Sequence, residues 1–419
     1  MTAWYFIRPT DTLFVRGNLS FGEAGEHGTG LMPPPPSVFA GALRSAILGL
    51  DAQLLSEFVA IDPKKGRSRL ADDRLHRCLG TPSAPGAFRV SWLSLAGRRR
   101  GASDSLVPPE ALLPLPADLL WLGPDTGFAR LLPRPLPAGV SSGGDLPLRA
   151  TLQTPKQAKP EGGRYLSQVG LKVHLQSGPR LPEATDAIET AAVHQRDPRL
   201  GIGLNTDSRS AEEGLIYTTE GHAFSPVSLP KADELREPAP YERTGFLVGI
   251  DGVDGISGGE ALLPDQGHLR LGGDGRSAEY QRVSFAPPKV DAAAIGKSGR
   301  FRLILQTPGL FGGWLPPGCC RVDDSLHRLQ GPGFSARLVC AAVGRREIVS
   351  GWDLHQWAPK PAEAAVPAGS VYWFDAFEGD PGKLAEWAAN GLRIDTAAPP
   401  SPRHAEGWNQ ALLGLWPQD

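Results

Sequence analysis

Strand-forming and helix-forming segments follow one another in the same order in both halves of the chain, and this order predicts the fold class. Each half can be written as β, α, β, β, α, β with insertions. We therefore expect an α+β protein with two ferredoxin-like domains, the plan that RRM-like RNA-recognition folds also use. The 419 residues are enough for two domains of ordinary size. Such a fold does not by itself establish a function.

The first half opens with strand formers from Trp4 to Arg8 and continues with the strongest helix signal of the chain. Apolar residues recur at helical spacing from Val38 to Leu50, and Ser37 stands where a hydroxyl can cap the helix. Further strands are predicted at residues 88–95, 245–250 and 281–286, and further helices at 166–175 and 260–271.

Two segments interrupt the first half as insertions. Residues 101–163 are dense in proline, which favours a long insertion lying over the surface. Residues 200–204 and 215–219 are strand-like and flank a polar run, so residues 200–220 are expected to form a β-hairpin with a projecting loop.

The second half begins after residues 287–299, which resemble a linker. We therefore place an N-terminal domain at 1–290 and a C-terminal domain at 299–419. Strands are predicted at 300–305, 336–343 and 371–375. Asp380 as a cap, Pro381 in the first turn and Gly391 as a stop predict a helix near the end.

Composition and charge exclude several classes of protein. The net charge of −2 and pI of about 6.5 are not those of a polycation that binds nucleic acid through bulk charge, so any such site must be local. The sequence has no apolar run of membrane-spanning length and no signal peptide, so we expect a cytoplasmic protein with no membrane contact. The four cysteines are too few and too uneven for a disulfide framework.

Short motifs that would indicate an enzyme fail on inspection. Gly296-Lys297-Ser298 ends like a phosphate-binding loop, but Asp291 occupies the first glycine position. Gly255-Ile256-Ser257-Gly258-Gly259 fits the pattern of an esterase elbow, which arises easily in a chain with 51 glycines. Adjacent Cys319 and Cys320 lack the spacing of zinc ligands. We expect no metal and no cofactor.

Several segments, read in order, resemble one family. They are Asp11-Thr12-Leu13-Phe14-Val15-Arg16-Gly17, the prolines 33–36 with Ser37-Val38-Phe39-Ala40-Gly41-Ala42-Leu43-Arg44, residues 201–205 and 209–220, Thr307-Pro308-Gly309-Leu310-Phe311 with Gly313-Trp314-Leu315-Pro316, Ser350-Gly351-Trp352-Asp353-Leu354, Lys360-Pro361, and residues 367–374. The ordered set is similar to the RAMP-superfamily third subunit of the Cmr complex, the type III-B CRISPR effector.

This resemblance implies a non-catalytic subunit with two ferredoxin-like domains. In such hetero-oligomeric complexes, which serve antiviral defence, the subunit holds the 5′ tag of the CRISPR RNA (crRNA). It lies beside the Cas10-type large subunit and the first Cmr backbone subunit. The proline-rich residues 101–163 match none of the segments that carry the resemblance.

Candidate RNA contacts combine bare backbone, arginine and aromatic rings, because a single-stranded tag is held through phosphates and splayed bases. For each, the alternative is a plain turn, a helix cap or a solvated charge. Trp314, Trp352 and Trp373 are candidates for base stacking, although tryptophan is also common in cores and interfaces. The full set of predicted RNA-binding residues is Ser37, Arg44, Asn205, Arg209, Gly272, Gly273, Arg276, Arg345, Arg346, Gly351, Trp352 and Lys360.

Two alternative functions stay open at this point. Other RAMP proteins are metal-independent endoribonucleases that process precursor crRNA, and His27 lies in a glycine-rich segment before the first helix. A hydrolase built on Ser257 would need a sharp strand-to-helix turn at that residue.

Overall fold

Two large antiparallel sheets dominate the computed structural model of the chain. It describes residues 2–15, 27–28, 30–61, 68–99, 107–140, 144–152, 159–205, 207–224, 240–254, 261–323, 326–353, 355–393 and 401–417. The esterase-like motif at 255–259 therefore lies outside the described residues.

The helices are short and few. They are α1 (Pro36–Leu48), α2 (Ala52–Val59), α3 (Asp73–Leu79), α4 (Gln168–His174), α5 (Ala292–Ser298), α6 (Pro381–Ala389) and α7 (Pro402–Ala405). The strands of the first half are β1 (Ala3–Pro9), β2 (His27–Gly28), β3 (Arg89–Arg98), β4 (Glu110–Pro114), β5 (Leu119–Trp121), β6 (Phe128–Arg134), β7 (Arg149–Leu152), β8 (Arg164–Ser167), β9 (Ala187–Glu189), β10 (Gln195–Leu204), β11 (Ala211–Ala223), β12 (Arg243–Asp251), β13 (Gln266–Arg270) and β14 (Ser277–Arg282). Those of the second half are β15 (Phe301–Leu305), β16 (Cys319–Arg321), β17 (His327–Gly331), β18 (Phe334–Ala342), β19 (Glu347–Val349), β20 (Trp352–Asp353), β21 (Ala358–Pro359), β22 (Glu363–Ala365), β23 (Val371–Gly379) and β24 (Ala411–Leu415).

The sheets give a mixed α/β fold in which antiparallel pairing prevails. An eight-stranded sheet runs β13-β14-β1-β12-β3-β4-β8-β9, and a six-stranded sheet runs β16-β17-β18-β23-β15-β24. The only parallel pair among the described strands joins β11 to the two-residue β2.

Ferredoxin-like topology is present in part. The core strands β14-β1-β12-β3 and, read in the opposite direction, β24-β15-β23-β18 lie, by order of appearance in each half, as fourth-first-third-second. In the first half α1 lies between β1 and β3, but no helix occurs among the described residues between β12 and β14. In the second half the described helices follow β23, and none lies between β15 and β18. Two complete ferredoxin-like domains are therefore not confirmed.

The two halves pack through the inner faces of their sheets. Along β1, Tyr5 and Ile7 belong to the core under α1, whereas Phe6 belongs to a cluster that also contains Ile304 and Trp373 of the second half. This alternation follows from the two-residue period of a strand. The outer face of the second sheet packs against α5 and α6. The order of layers is thus helices, sheet, sheet, helices.

A buried cluster of polar groups lies at the junction of the halves. Arg302 of β15, Asp118 before β5 and His174 of α4 are all inaccessible to solvent. The Arg302 guanidinium donates to Asp118 Oδ2 at 2.5 Å and to the carbonyls of His174 and Leu415 at 2.5 and 3.0 Å. Burial alone opposes ionisation of Asp118, yet His174 and Arg302, which both contact its carboxylate, hold the pKa of this group below its usual range.

Most predicted elements are confirmed, including the strand at the start, the strands at 88–95 and 300–305, and the hairpin. Helix α6 begins at Pro381, its cap Asp380 accepts from the Gly382 amide at 2.7 Å, and Gly391 with φ of 73° follows its end. These signals are local, so the sequence suffices to place them.

Two predictions of local structure are wrong. Residues 260–271 contain strand β13 rather than a helix, because Pro264 and Gly267 disfavour helix and Leu269 pairs with Ala278 of β14. The predicted linker at 287–299 contains α5, capped by Asp291. That helix includes Gly296, Lys297 and Ser298, which the sequence already excludes as a phosphate-binding loop because Asp291 occupies the first glycine position.

The proline-rich insertion is also not confined to the surface. Its strand β4 pairs with β3 and β8 within the large sheet, and Ala111 and Leu112 have no exposed surface. Leu119 and Trp121 reach the cluster between the halves. The apolar residues of this segment can form buried strands because its prolines lie mainly at strand ends and in turns.

We predict that Arg302→Leu destabilises the protein by about 3–5 kcal/mol, because it leaves the Asp118 carboxylate buried without its cation. Chemical denaturation monitored by tryptophan fluorescence measures this difference. Arg337→Leu is the matched control, because it removes an ion pair with Asp375 in which the Arg337 side chain is 47% exposed. It should change the free energy of unfolding by less than about 1 kcal/mol. Equal effects of the two substitutions would contradict the role of the buried cluster.

Candidate nucleic-acid interface

A long β-hairpin projects from the first half, as the sequence predicts. Strands β10 and β11 pair from Gln195 opposite Ala223 to Leu204 opposite Ala211. Leu200 and Leu204 are 71% and 65% exposed, so the outer part of the hairpin has no covering layer among the described residues. Its tip is polar and exposed.

The predicted contacts Asn205 and Arg209 both lie at this tip. The Asn205 side chain accepts from the backbone amides of Asp207 and Ser208, both at 3.0 Å, which closes the turn. Arg209 is exposed, with φ of 54°, and its amide donates to the Asn205 carbonyl. Asn205 therefore shapes the turn, and Arg209 is the residue that can reach a ligand.

The root of the hairpin is fixed by a network of ions and hydrogen bonds. Thr12 donates to Asp197 at 2.7 Å, and Arg199 contacts both of these side chains at 2.8 Å. Asp11 pairs with Arg276 at 2.5 Å. The backbone amide of Thr12 and the neighbouring arginines lower the pKa of Asp11. The predicted phosphate ligand Arg276 is thus held by a carboxylate within the free chain.

The glycine loop that precedes Arg276 packs closely against the segment after β1. The Gly273 amide donates to the Phe14 carbonyl at 2.8 Å. Gly272 has φ of 80°, and a Cβ there would lie 2.5 Å from the same carbonyl oxygen. The Gly272 position therefore excludes a side chain for internal steric reasons. Gly275, by contrast, has no atom within 4 Å of such a Cβ, so the outer edge of the loop is open.

Two histidines and a tyrosine pack beneath the hairpin root. His194 contacts the Tyr165 hydroxyl at 2.9 Å and the His222 Nδ1 at 3.3 Å. Burial lowers the pKa of His194 to about 4 and also lowers that of His222. Both rings are therefore neutral at pH 7, and they join the hairpin to the core through packing rather than charge.

The two candidates on α1 do not form part of this surface chemistry. The cap expected from Ser37 is wrong: the helix begins at Pro36, which is suited to the first helical position, and Ser37 makes no side-chain cap. Arg44 points inward, donates to the carbonyls of Leu79 and Thr81 at 3.1 and 3.5 Å, and lies over the Phe58 ring. Burial lowers the pKa of Arg44.

The candidates in the second half lie on or near one two-stranded segment, which we call the arm (residues 347–365). It consists of the strand pairs β19–β22 and β20–β21. Arg345 and Arg346 are exposed just before it, and Gly351 and Trp352 are exposed within it. Lys360 is already paired with Glu406 at 2.5 Å, which ties the arm to α7.

The exposure of the tryptophans shows which of them are accessible for base stacking. Trp373 is completely buried between the two sheets, so base stacking on it is ruled out. Trp314 is 41% exposed with its ring against His327, whereas Trp357, which sequence reasoning missed, is 75% exposed. The polar neighbours of Trp357 and the proline at 359 are the sequence signal that could have found it.

The structure separates the predicted residues into two groups. Residues 271–276 adjoin the Pro9 end of β1, because Pro9 pairs with Ala278. The α7 end, to which Lys360 is tied, lies at the opposite end of the sheet, where Gly407 abuts Val90. The length of β1, about 20 Å at roughly 3.3 Å per residue, separates these ends.

Comparison with known proteins assigns the family. The family model Cas_Cmr3, described as a CRISPR-associated protein, matches residues 5–416. The chain belongs to the Cas_Cmr3 family. The family resemblance deduced from the sequence is thereby confirmed.

Three solved structures are also similar to this Cas_Cmr3 chain. One, of the type III-B Cmr-beta bound to cognate target RNA, shows 14% identity over 88% of this chain and 86% of that chain, with a TM-score of 0.42. A second, bound to cognate target RNA and AMPPnP, shows 13% identity over the same shares, with a TM-score of 0.40. A third, of the apo state, shows 12% identity over 68% and 98%, with a TM-score of 0.27. No curated protein matches the chain.

Further features of the Cas_Cmr3 chain bear on chemistry. A crevice of about 850 Å³ opens between the halves, lined by Arg89, Lys383, Arg393 and also Glu386. Within the described part of the chain, no helix is long and apolar enough to cross a membrane, and no group of three or more histidines, cysteines or acids could hold a metal ion. His27 forms the short strand β2 beside Thr218.

We predict that the protein loses stability as the pH falls from 6.5 towards 4, in part through His194. Its pKa is lower in the folded state than the ordinary 6.5, so the unfolded chain binds more protons in this window and acid favours unfolding. Urea denaturation at pH 7.5 and 5.0 measures the effect, and His194→Gln should reduce the difference. His268→Gln, on an exposed position, serves as control; an equal reduction by both substitutions would contradict the assignment.

Proposed function

We propose that the chain is a non-catalytic, cytoplasmic subunit of a type III-B CRISPR effector that binds the 5′ tag of the crRNA. In this proposal it links the Cas10-type large subunit to the Cmr backbone filament and folds as two ferredoxin-like domains, 1–290 and 299–419. The observation that carries the proposal is membership of the Cas_Cmr3 family over residues 5–416.

The glycine loop and the hairpin support RNA binding in the first half. A single strand is held through its phosphates by arginine and by backbone that it can approach closely. Arg276 stands beside Gly275, where the backbone is open, and its side chain is 24% exposed. Arg209 adds a second exposed cation at the hairpin tip.

The second half offers a complementary set of groups. Arg345 and Arg346 are exposed cations, and Gly351 and Trp352 offer open backbone and an aromatic ring. A separation of about 20 Å between the two ends of the sheet corresponds to roughly six nucleotides of a stacked strand. One RNA segment can therefore contact both groups.

We predict that Arg276→Ala weakens binding of tag RNA by about 1–3 kcal/mol, because a charge-assisted contact to phosphate is lost. Arg345→Ala should act in the same range. Binding is measured by anisotropy of labelled RNA at one fixed salt concentration, since affinity depends strongly on salt.

The matched control for Arg276 is Asp11→Asn, which breaks the same ion pair but keeps the cation. It should leave RNA affinity unchanged or increase it. Equal losses in both variants would show that the pair only supports the hairpin root, and unchanged affinity in Arg276→Ala and Arg345→Ala would refute both contacts.

We also predict that the isolated chain binds RNA weakly and gains most of its affinity within the complex, because its net charge is −2. Co-purification of the tagged chain with its neighbouring gene products, followed by sequencing of the bound nucleic acid, should recover short RNAs that share one 5′ tag. Metal-free cleavage of repeat RNA that is lost in His27→Ala would instead establish an endoribonuclease.

A further inference from the structure

The end of the arm away from its base exposes two tryptophans whose rings contact each other. Trp352 is 51% exposed and Trp357 is 75% exposed. Their ring centroids lie 5.9 Å apart and the ring planes meet at 88°. Two indoles at a right angle form an open corner, in which each ring offers a face to solvent.

Two backbone hydrogen bonds and one unusual torsion angle characterise the turn before Trp357. The Asp353 carboxylate accepts from the amides of His355 and Gln356 at 2.9 and 3.0 Å. Trp357 has φ of 51°, a left-handed conformation that is unusual for a bulky residue. The turn therefore holds the Trp357 ring outward, and a ligand would meet rings that are already in place.

The arm is also fixed to the body of the protein. Lys360 pairs with Glu406 at 2.5 Å, and Glu363 pairs with Arg403 at 2.6 Å. Glu406 and Arg403 lie in or beside α7, which abuts β3. The tryptophan corner consequently has a defined position relative to the large sheet.

Two exposed arginines stand at the base of the arm, whose own residues include three acids, Glu347, Asp353 and Glu363, and one cation, Lys360. Arg345 and Arg346 are exposed at its base, with no carboxylate in ion-pair distance among the described residues. Asp353 is engaged in its turn, and Glu363 is already neutralised by Arg403. Unpaired arginines together with isolated aromatic rings in polar surroundings are the combination that binds single-stranded nucleic acid.

We propose that Trp352 and Trp357 form a stacking platform for an unpaired base of single-stranded RNA, with Arg345 and Arg346 at the base of the arm contacting phosphates further along the same strand. This inference rests on the proposed RNA-binding function and assigns Trp357 as a further binding residue. Because the two rings are perpendicular, a base stacked parallel to one indole lies perpendicular to the other. The platform accepts any base, because every base has a π-face.

The test uses the full-length protein and two probes of equal length and charge, a short single-stranded tag RNA and the same RNA with abasic sites. Trp357→Ala should weaken binding of the base-bearing RNA at least about fivefold and that of the abasic RNA less than about twofold. Trp357→Phe should restore most of the affinity. Ile348→Ala, which truncates a 52% exposed apolar residue of the same arm, is the matched control and should change neither.

The possible outcomes distinguish failure of the stacking platform from failure of the proposed RNA-binding function. If the wild-type protein binds neither RNA even within its complex, the proposed function fails. If it binds RNA but Trp357→Ala has no effect, or an equal effect on both probes, only the stacking platform is refuted. If Trp357→Ala and Ile348→Ala both prevent co-purification of the other subunits while RNA affinity is unchanged, the arm is a protein contact and the inference is wrong.

Discussion

The buried contact of Arg302 with Asp118 and His174 determines how the two halves of the molecule are arranged. An arginine and an aspartate removed from water lose strong hydration, and their mutual attraction compensates only when the geometry is close and the remaining donors are satisfied. Here the guanidinium also meets the carbonyls of His174 and Leu415. Gly414 lies opposite Arg302, and a Cβ there would approach the guanidinium to 3.2 Å. A shift of either half would leave a charge unpaired in an apolar junction, so the arrangement is specified strongly.

This constraint reaches the surface through the large sheet. The inner faces of both sheets are buried at the junction, so the candidate contacts with partners lie at strand ends, in loops and on the hairpin. The glycine loop and hairpin root lie at one end of β1, and the arm is tied through Glu406 to the other. The separation of the two candidate groups is therefore a consequence of sheet length and of the fixed junction, and an RNA that contacts both must follow the side of the molecule between them.

The sequence reveals the elements whose signals are local and misses those that depend on distant partners. The cap Asp380, the first-turn Pro381 and the alternating strand around Ile304 can be recognised within a few residues. The junction cannot, because Asp118, His174 and Arg302 come from separate segments, one of them rich in proline. Ser37 looks like a cap until Pro36 is seen to start the helix, and Arg44 looks exposed until its carbonyl partners are known. Trp373 and Trp357 are the same residue type, yet an apolar run buries the first and a polar turn exposes the second.

Several of the predicted RNA-binding residues already form ion pairs within the protein. These pairs affect the order in which the proposed contacts with RNA can form. Arg276 pairs with Asp11, and Lys360 with Glu406. A phosphate that binds Arg276 or Lys360 must first displace the carboxylate already paired with it. The gain in binding free energy is therefore smaller than for an unpaired cation, and the displaced carboxylate repels the RNA. Arg209, Arg345 and Arg346 are exposed and lack such a competitor among the described residues. In the proposed function, the first contacts with RNA therefore form at these residues, and the paired cations join only when neighbouring contacts hold the strand in place.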